Sequence, residues 1–218
     1  RDSIRRQRQM CIRDRITTVY NPVFSPRLLE LAREPVSHPW YERDGPPLVL
    51  GVGRLEPQKD FALLLRAFAR VRQVRPVRLL ILGEGRERSK LTRLAEALGV
   101  RDAVDFPGFV PNPYAHMARA NLFVLSSRYE GLPTVVIEAL ACGCPVVSTD
   151  CPSGPVEILE RGRYGRLVPV GDAPALARAM RAALDEPADR ARLQRRAAEF
   201  SVERAAPRYL ELMGADAA

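Results

Sequence analysis

From residue 45 onwards, short runs of apolar residues alternate with stretches in which apolar residues recur every three or four positions. A run that is apolar throughout predicts a strand buried on both faces. Such runs occupy residues 48–50, 79–82, 122–125, 146–147 and 167–168, and residues 104–106, with Asp105 between two apolar residues, predict a further brief strand. The spaced stretches predict amphipathic helices. They cover residues 61–71, 91–98, 113–119, 133–141 and 155–161, and a final one is capped by Asp172.

This alternation of short strands and helices is typical of parallel βαβ units with helices on both faces of the sheet. We therefore predict an α/β fold, a doubly wound Rossmann-like parallel sheet within residues 45–189. Ligands of such sheets bind beyond the carboxyl ends of the strands. The loops that follow the strands are thus the places where we expect the sequence to carry chemistry.

The two ends of the chain lie outside the alternation. Residues 1–15 start with an arginine rather than a methionine and lack apolar periodicity, so we expect a non-native leader; a disordered basic tail is the alternative. Residues 16–44 contain four prolines and predict an extended lead-in or interdomain linker. Residues 190–218 are helical in character, with an expected interruption near Pro207 and an apolar face suited to docking.

The formal net charge of +8, from 34 basic and 26 acidic residues, at first suggests nucleic-acid binding. Half of that charge lies within residues 1–15, which hold six arginines and two aspartates. The other arginines are scattered over several helices, and no recognition motif or aromatic platform accompanies them. We therefore predict no nucleic-acid partner. No apolar run approaches the roughly 18 residues that a membrane-spanning helix needs.

Four cysteines and two histidines are too few and too scattered for a zinc site. Cys142 and Cys144 lack the two-residue spacer of redox motifs and lie among apolar residues. We expect small buried thiols, no disulfides and a cytoplasmic protein. His116 is expected to be structural or at the surface rather than catalytic.

Two glycine-containing loops follow predicted strands. In the first, Gly53 lets the backbone approach a ligand, while Arg54 and Lys59 place two cations beside a helix N-terminus that already favours anions. Lys59 is one of only two lysines in an arginine-rich chain, and a compact ammonium group suits a diphosphate. A solvated surface loop is the alternative. In the second loop, residues 83–85, two glycines indicate little more than a tight turn.

A third loop carries two carboxylates, Glu130 and Glu138, on either side of a predicted helix start. Pro133 suits the first helical turn, where its missing N–H costs little. The free N–H groups near Thr134 and Val135 would then be available to phosphate oxygens. Because carboxylates repel a diphosphate, their natural partners are sugar and ribose hydroxyls. The alternative is that Glu130 caps the helix and Glu138 lies on its solvent face.

Two cations, exposed amides and two carboxylates around one crevice match a sugar nucleotide. The segments that carry them, GRLEPQKD (53–60) and EGLPTVVIE (130–138), resemble signature loops of the family-4 glycosyltransferases. So do ALACGCPVVSTD (139–150) and CPSGPVEIL (151–159), and all four occur in the family's order. The resemblance extends over most of the chain, from residue 16 to about residue 209.

The resemblance implies a GT-B fold, in which two Rossmann-like domains face each other across a cleft, with this chain as the C-terminal, donor-binding domain. It implies a retaining transfer that needs no metal and no other cofactor, in agreement with the lack of an Asp-x-Asp pair. Residues 152–157 are most similar to bacterial enzymes of polysaccharide or lipid-linked oligosaccharide synthesis. That similarity implies a UDP-hexose or UDP-N-acetylhexosamine donor. Residues 190–218 would pack on the N-terminal domain.

The family's pattern also implies roles for the residues that match its motifs. Arg54 and Lys59 would bind the donor diphosphate and stabilise the leaving group as charge develops on it. Glu130 would hold hydroxyls of the transferred sugar. These three are the predicted catalytic residues, and none is predicted to bind a metal.

Further residues would bind the donor. They are Gly53, Gly83, Phe109, Val110, Gly131, Leu132, Pro133, Thr134, Val135 and Glu138. Of these, Phe109 and Val110 would flank the base and Glu138 would bind the ribose. The amides near Leu132, Thr134 and Val135 would contact sugar and phosphate.

The resemblance further implies that this chain alone binds nucleotide weakly and transfers no sugar, because the acceptor-binding domain lies outside it. The full-length enzyme would take a saccharide or lipid-linked acceptor in the cytoplasm, with peripheral association at the inner face of the cytoplasmic membrane. Two other functions stay open, a sugar-nucleotide epimerase and a non-catalytic nucleotide-sugar-binding or scaffold domain. The motif pair at 53–60 and 130–138 disfavours the epimerase, and the intact charged residues disfavour the scaffold.

Overall fold

The computed structural model describes residues 17–41 and 45–214. The predicted leader, residues 1–15, lies outside them. Six strands form one all-parallel sheet in the order β3-β2-β1-β4-β5-β6. The strands are β1 (Leu48–Val52), β2 (Arg78–Leu82), β3 (Val104–Gly108), β4 (Leu122–Leu125), β5 (Val146–Thr149) and β6 (Arg166–Val168). Each run predicted as a strand is a strand, which confirms the predicted doubly wound Rossmann-like fold.

Helices cover both faces of the sheet. In chain order they are α1 (Pro26–Arg33), α2 (Phe61–Arg72), α3 (Arg88–Ala97), α4 (Pro113–Met117), α5 (Thr134–Ala141), α6 (Pro155–Ile158), α7 (Ala173–Asp185), α8 (Arg190–Ala198) and α9 (Val202–Met213). One core forms where α2, α3 and α7 pack on the sheet, and a second forms on the opposite face beneath α1, α4, α5 and α8. None of the helices in the described ranges is both long and apolar enough to cross a bilayer.

The direction of winding reverses between β1 and β4, which are neighbours in the sheet. The chain leaves β1 for α2 on one face and leaves β4 for α5 on the other. The loops after these two strands therefore diverge and leave a crevice at the carboxyl edge of the sheet. This crevice is where the predicted site residues of both loops belong.

The four prolines predict an extended lead-in, but part of this segment is helical. It contains α1, whose Leu28 and Ala32 are buried where this helix packs on α4 and α5. The Ser25 side chain accepts a hydrogen bond from the Leu28 N–H, and Pro26 occupies the first helical turn. Both features start helices, because they deal with N–H groups that have no partner inside the helix. The role of residues 16–44 as an interdomain linker stays a prediction.

The C-terminal segment is interrupted at residues 199–201 and not near Pro207, which lies inside α9. The break forms where Phe200 is buried and its carbonyl accepts hydrogen bonds from the N–H groups of Val23 (2.7 Å) and Phe24 (3.0 Å). Leu193 and Ala197 of α8 are also buried in this domain. These apolar residues therefore have partners within the chain, and in the described part of this C-terminal segment the exposed large apolar side chains belong to α9.

Two helix ends differ from the sequence-based expectation. Pro133 stands one residue before α5, at the N-cap position, instead of inside the first turn. The helix expected over 155–161 ends at Ile158, because Glu160 and Arg161 adopt positive φ angles of 44° and 53°. Such left-handed backbone cannot continue a right-handed helix.

Candidate functional site

The loops after β1 and β4 are joined across the crevice by hydrogen bonds. The backbone N–H of Arg128 donates to the Gln58 carbonyl (2.8 Å), and the Gln58 side-chain amide donates to the Tyr129 carbonyl (2.9 Å). The Ser126 hydroxyl donates to the Lys59 carbonyl (2.8 Å). The two loops thus form one rigid unit, although they are far apart in the sequence.

At the centre of this unit Lys59 and Glu130 form an ion pair, with Nζ and Oε1 2.6 Å apart. Only 16% of the Lys59 side chain and 7% of the Glu130 side chain are exposed. Burial strengthens the attraction between the two charges and makes either one costly to leave alone. Two of the three predicted catalytic residues therefore meet directly. The N-terminus of α5 has Pro133 as its N-cap and no side-chain cap, so Glu130 does not cap this helix.

Lys59 is aimed into the crevice by the turn that follows it. It ends a 3-10 helix, Pro57–Lys59, and Asp60 then adopts left-handed backbone (φ 42°) and caps α2 through the Leu63 N–H. The Asp60 carboxylate also accepts from Arg128 Nε at 2.8 Å. The aliphatic part of Lys59 passes about 3.4 Å from where a Cβ of Gly53 would stand. A side chain at position 53 would thus crowd the lysine.

A cleft of about 400 Å³ opens beside the ion pair. Its lining consists of Val52, Gly53, Arg54, Leu82, Gly83, Glu84, Phe109, Val110, Pro111 and Pro113. Five predicted donor or catalytic residues share this lining: Gly53, Arg54, Gly83, Phe109 and Val110. Arg54 is exposed and forms no ion pair with any other described residue. The Phe109 ring is 72% exposed, an arrangement that suits stacking on a flat ligand.

Gly83 allows the floor of this cleft to form. Its φ angle is 129°, and a Cβ at this position would lie 2.0 Å from the Gly53 carbonyl oxygen. The Gly53 N–H in turn donates to the Leu82 carbonyl at 3.0 Å. Sequence reasoning treated residues 83–85 as little more than a tight turn, but in the structure they pack against the backbone of the loop after β1.

Two more of the predicted donor-binding residues, Thr134 and Glu138, lie in the first turns of α5. Thr134 is exposed, and Glu138 is half-buried one turn later. Burial raises the pKa of the Glu138 carboxyl, and a hydrogen bond from the Thr134 side chain partly offsets this. Burial also raises the pKa of Tyr114, and the nearby Glu138 charge raises it further. Glu138 therefore faces α4, next to the end of the cleft at Pro113.

Sequence reasoning missed the support beneath the loop of residues 130–133. Gly154 lies so close to it that a Cβ would stand 2.3 Å from both the Gly131 carbonyl oxygen and Pro133 Cδ. The Gly154 φ angle of 76° is one that other residues adopt only with strain. The segment 151–159 was noted for its resemblance alone. A glycine placed just before Pro155 was the available signal for a close backbone approach.

Arg196 of α8 fixes that supporting segment from behind. Its guanidinium donates to the carbonyls of Ile158 (2.9 Å) and Glu157 (2.8 Å) and pairs with Glu160 at 2.9 Å. It is one of few charged side chains that are buried. The positive φ angle of Glu160 is strained backbone, and strain of this kind persists where surrounding bonds hold it.

Three cysteines and His116 are placed as expected, and Cys11 lies outside the described residues. Cys142, Cys144 and Cys151 are buried free thiols, and burial raises the pKa of Cys142 to about 12. His116 is buried and hydrogen-bonded to Tyr41, which supports a structural role. Within residues 17–41 and 45–214, no cluster of three or more His, Cys, Asp or Glu side chains is arranged to hold a metal ion. Independence of metal stays a prediction.

Comparisons with known proteins show the family to which the chain belongs. The family model described as glycosyl transferases group 1 matches residues 33–200. The Campylobacter jejuni N-acetylgalactosamine-N,N'-diacetylbacillosaminyl-diphospho-undecaprenol 4-alpha-N-acetylgalactosaminyltransferase is 38% identical over 138 residues, which are 63% of this chain and 37% of that protein. The lipopolysaccharide core biosynthesis glycosyltransferase LpsE of Rhizobium meliloti is 37% identical over 172 residues, 77% of this chain and 49% of that protein.

Solved structures share the fold. The apo form of the lipopolysaccharide outer core galactosyltransferase WaaB superposes with a TM-score of 0.76 at 24% identity, over 91% of this chain and 55% of that one. Anabaena HepE in complex with UDP superposes with a TM-score of 0.71 at 24% identity. The match covers 88% of this chain and 53% of that one. The chain thus spans between about a third and just over half of these proteins. Because the family model matches well over half of its residues, the chain belongs to the group 1 glycosyl transferases.

Proposed function

We propose that this chain is the donor-binding domain of a retaining, metal-independent family-4 glycosyltransferase that uses a UDP-hexose or UDP-N-acetylhexosamine. The observation that carries the proposal is the buried Lys59–Glu130 pair at the point where the sheet reverses its winding. A cation and a hydroxyl-accepting carboxylate lie there side by side, and the cleft of about 400 Å³ lined by Gly53 and Arg54 is nearby.

The diphosphate lies between the exposed Arg54 guanidinium and the Lys59 ammonium in this proposal. Negative charge grows on the diphosphate as the bond to the sugar breaks, and fixed cations stabilise that state more than the ground state. The N-terminus of α5 contributes the amides of Thr134 and Val135 on the opposite side. Glu130 accepts hydrogen bonds from hydroxyls of the sugar.

The nucleoside occupies the cleft. Its base lies against Phe109 and Val110, and the ribose hydroxyls reach Glu138 past the end of α4. Burial that raises the pKa of a carboxyl also makes it a stronger partner for hydroxyl donors, since little water competes there. The UDP found in the HepE complex supports uracil as the base.

The relatives support a lipid-linked or polysaccharide acceptor. One is named for a diphospho-undecaprenol substrate and another for the lipopolysaccharide core. We extend this acceptor class to the full-length enzyme, with an acceptor-binding domain outside the present chain and a cytoplasmic location at the membrane surface. The chain alone then binds nucleotide weakly and transfers no sugar.

Thermal unfolding in the presence of nucleotides tests the proposal. A ligand that binds only the folded state stabilises it by RT ln(1 + [L]/Kd), roughly 2.7 kcal/mol at a hundredfold excess over Kd. UDP and UDP-sugars are expected to raise the melting temperature more than GDP or ADP. Lys59→Ala should abolish the shift, measured against its own unliganded melting temperature.

Lys90→Ala is the matched control, because Lys90 is the only other lysine and forms an exposed pair with Glu87. It should keep the full shift. A wild-type chain that no nucleotide stabilises would contradict donor binding. Nucleotide binding without transfer by the longer protein, acceptor domain included, would favour a non-catalytic scaffold instead.

A further inference from the structure

Ser127 has no role in the site as described so far. It follows β4 and is fully buried, and its hydroxyl donates to Glu130 Oε1 at 2.6 Å. A hydroxyl at this distance from a carboxylate forms a strong, charge-assisted hydrogen bond. Ser127 is thus hydrogen-bonded to the side chain that, in the proposed function, faces the transferred sugar.

Both donors to Glu130 use the same oxygen. Lys59 Nζ and Ser127 Oγ are each 2.6 Å from Oε1. No hydrogen bond from a described residue reaches Oε2, and no buried side-chain oxygen among these residues lacks a partner. Oε2 is therefore not completely enclosed, although the Glu130 side chain is only 7% exposed, and it has capacity to accept a hydrogen bond from a ligand.

The sheet fixes Ser127 from the side away from the ligand. The Thr149 hydroxyl of β5 donates to the Ser127 carbonyl at 2.6 Å, and Thr149 is itself fully buried. Since β4 and β5 are paired just before this point, Ser127 has little freedom to move. The hydroxyl consequently reaches Glu130 from a fixed direction.

We propose that Ser127 is a positioning residue that holds Oε1 of Glu130 on Lys59 and leaves Oε2 to face the sugar of the donor. An ammonium is a compact point charge that binds either oxygen of a carboxylate, or both. Lys59 alone would leave the carboxylate free to rotate about its last torsion, which is a soft one. The Ser127 hydroxyl removes that freedom. This inference rests on the proposed function, in which Glu130 contacts the sugar.

The test compares the dissociation constants of UDP and of a UDP-sugar by calorimetry on this chain. The probe is the tightest binder among UDP-glucose, UDP-galactose and their two N-acetylhexosamine counterparts. Ser127→Ala is expected to raise the ratio of the UDP-sugar constant to the UDP constant by about fivefold, since one hydrogen bond to a charged group is weakened. If Ser127 had a purely structural role, its loss would weaken the binding of UDP and of the UDP-sugar equally, and the ratio of the two constants would not change.

Ser148→Ala is the matched control, because Ser148 is an equally buried serine whose hydroxyl bonds to the backbone of β5. It should leave the ratio unchanged. In a double-mutant cycle, Ser127→Ala should have no further effect on the ratio once Glu130→Gln is present. An undiminished effect in that background would overturn the proposal. A wild-type chain that binds neither UDP nor a UDP-sugar would instead refute the proposed function itself.

Discussion

At the scale of single residues, His116 lies buried in α4 with its Nδ1 atom 2.8 Å from the Tyr41 hydroxyl. Burial, with smaller effects from the nearby His38 and Arg119, lowers its pKa from 6.5 to about 4. Between these pH values the unfolded chain binds a proton that the folded chain does not. Stability is therefore complete above pH 6.5 and falls as the pH drops towards 4, by up to about 3 kcal/mol.

Urea unfolding at pH 7.5 and pH 4.5 measures this loss. We expect His116→Gln to reduce the difference in unfolding free energy between the two pH values. At pH 7.5 the variant should be less stable than the wild type. His38→Gln serves as the control and should keep most of the difference. Equal pH dependence in wild type and His116→Gln would show that other groups cause it.

Single residues also mark how far the sequence could predict the site. Lys59 and Glu130 were each chosen from the sequence, by residue type and by position after a strand. Their contact was beyond it, because it depends on β1 and β4 being neighbours in the sheet. Ser127 was missed because a serine after a strand has no distinctive spacing. Its role follows only from the position of the Glu130 carboxylate.

At the scale of elements, the loops after β1 and β2 pack backbone against backbone, and Gly83 is the residue that permits this. Gly83→Ala places a Cβ 2.0 Å from a carbonyl oxygen at a φ angle of 129°. Neither group is a flexible side chain, so the loops must separate. We expect a loss of about 3 kcal/mol or more in unfolding free energy, measured by chemical denaturation.

Gly99→Ala is the control that separates the destabilisation caused by the steric clash from that caused by the positive φ angle. Gly99 also has a positive φ angle, 68°, but nothing lies within 4 Å of the position that its Cβ would take. Its substitution should cost only about 1 kcal/mol. If the two variants were equally destabilised, the close approach of the loops would be ruled out as the cause.

The order of elements could be predicted from apolar periodicity, and their exact ends could not. Every predicted strand exists, because most residues of a buried parallel strand are apolar; β3, which contains Asp105, departs furthest from that pattern. Helix α1 was missed because prolines dominated the interpretation, although a serine followed by proline is itself a helix start. The break at residues 199–201 depends on tertiary hydrogen bonds from Val23 and Phe24, which no local pattern encodes.

At the scale of the whole molecule, the described part of the C-terminal segment, residues 190–214, divides into a buried part and an exposed part. The sequence predicts one amphipathic stretch that docks on another domain. In the structure α8 packs on α5 and buries Leu193 and Ala197, and the loop after it buries Phe200. Helix α9 keeps Tyr209, Leu212 and Met213 exposed. The apolar surface of α9 is thus the part that docking on an N-terminal domain would cover.

This division predicts unequal effects of the same substitution at two leucines. Leu193 is 9% exposed and Leu212 is 49% exposed. Leu193→Ala should lower the unfolding free energy of this chain by about 2–4 kcal/mol, because it leaves a cavity beneath α8. Leu212→Ala should cost less than about 0.5 kcal/mol, since its side chain loses few contacts.

Denaturation of both variants in the 218-residue chain measures the difference, and similar losses would show that α9 is as firmly packed as α8. In a longer protein with the acceptor domain present, the cost of Leu212→Ala should rise towards that of Leu193→Ala, because the same side chain would then be buried.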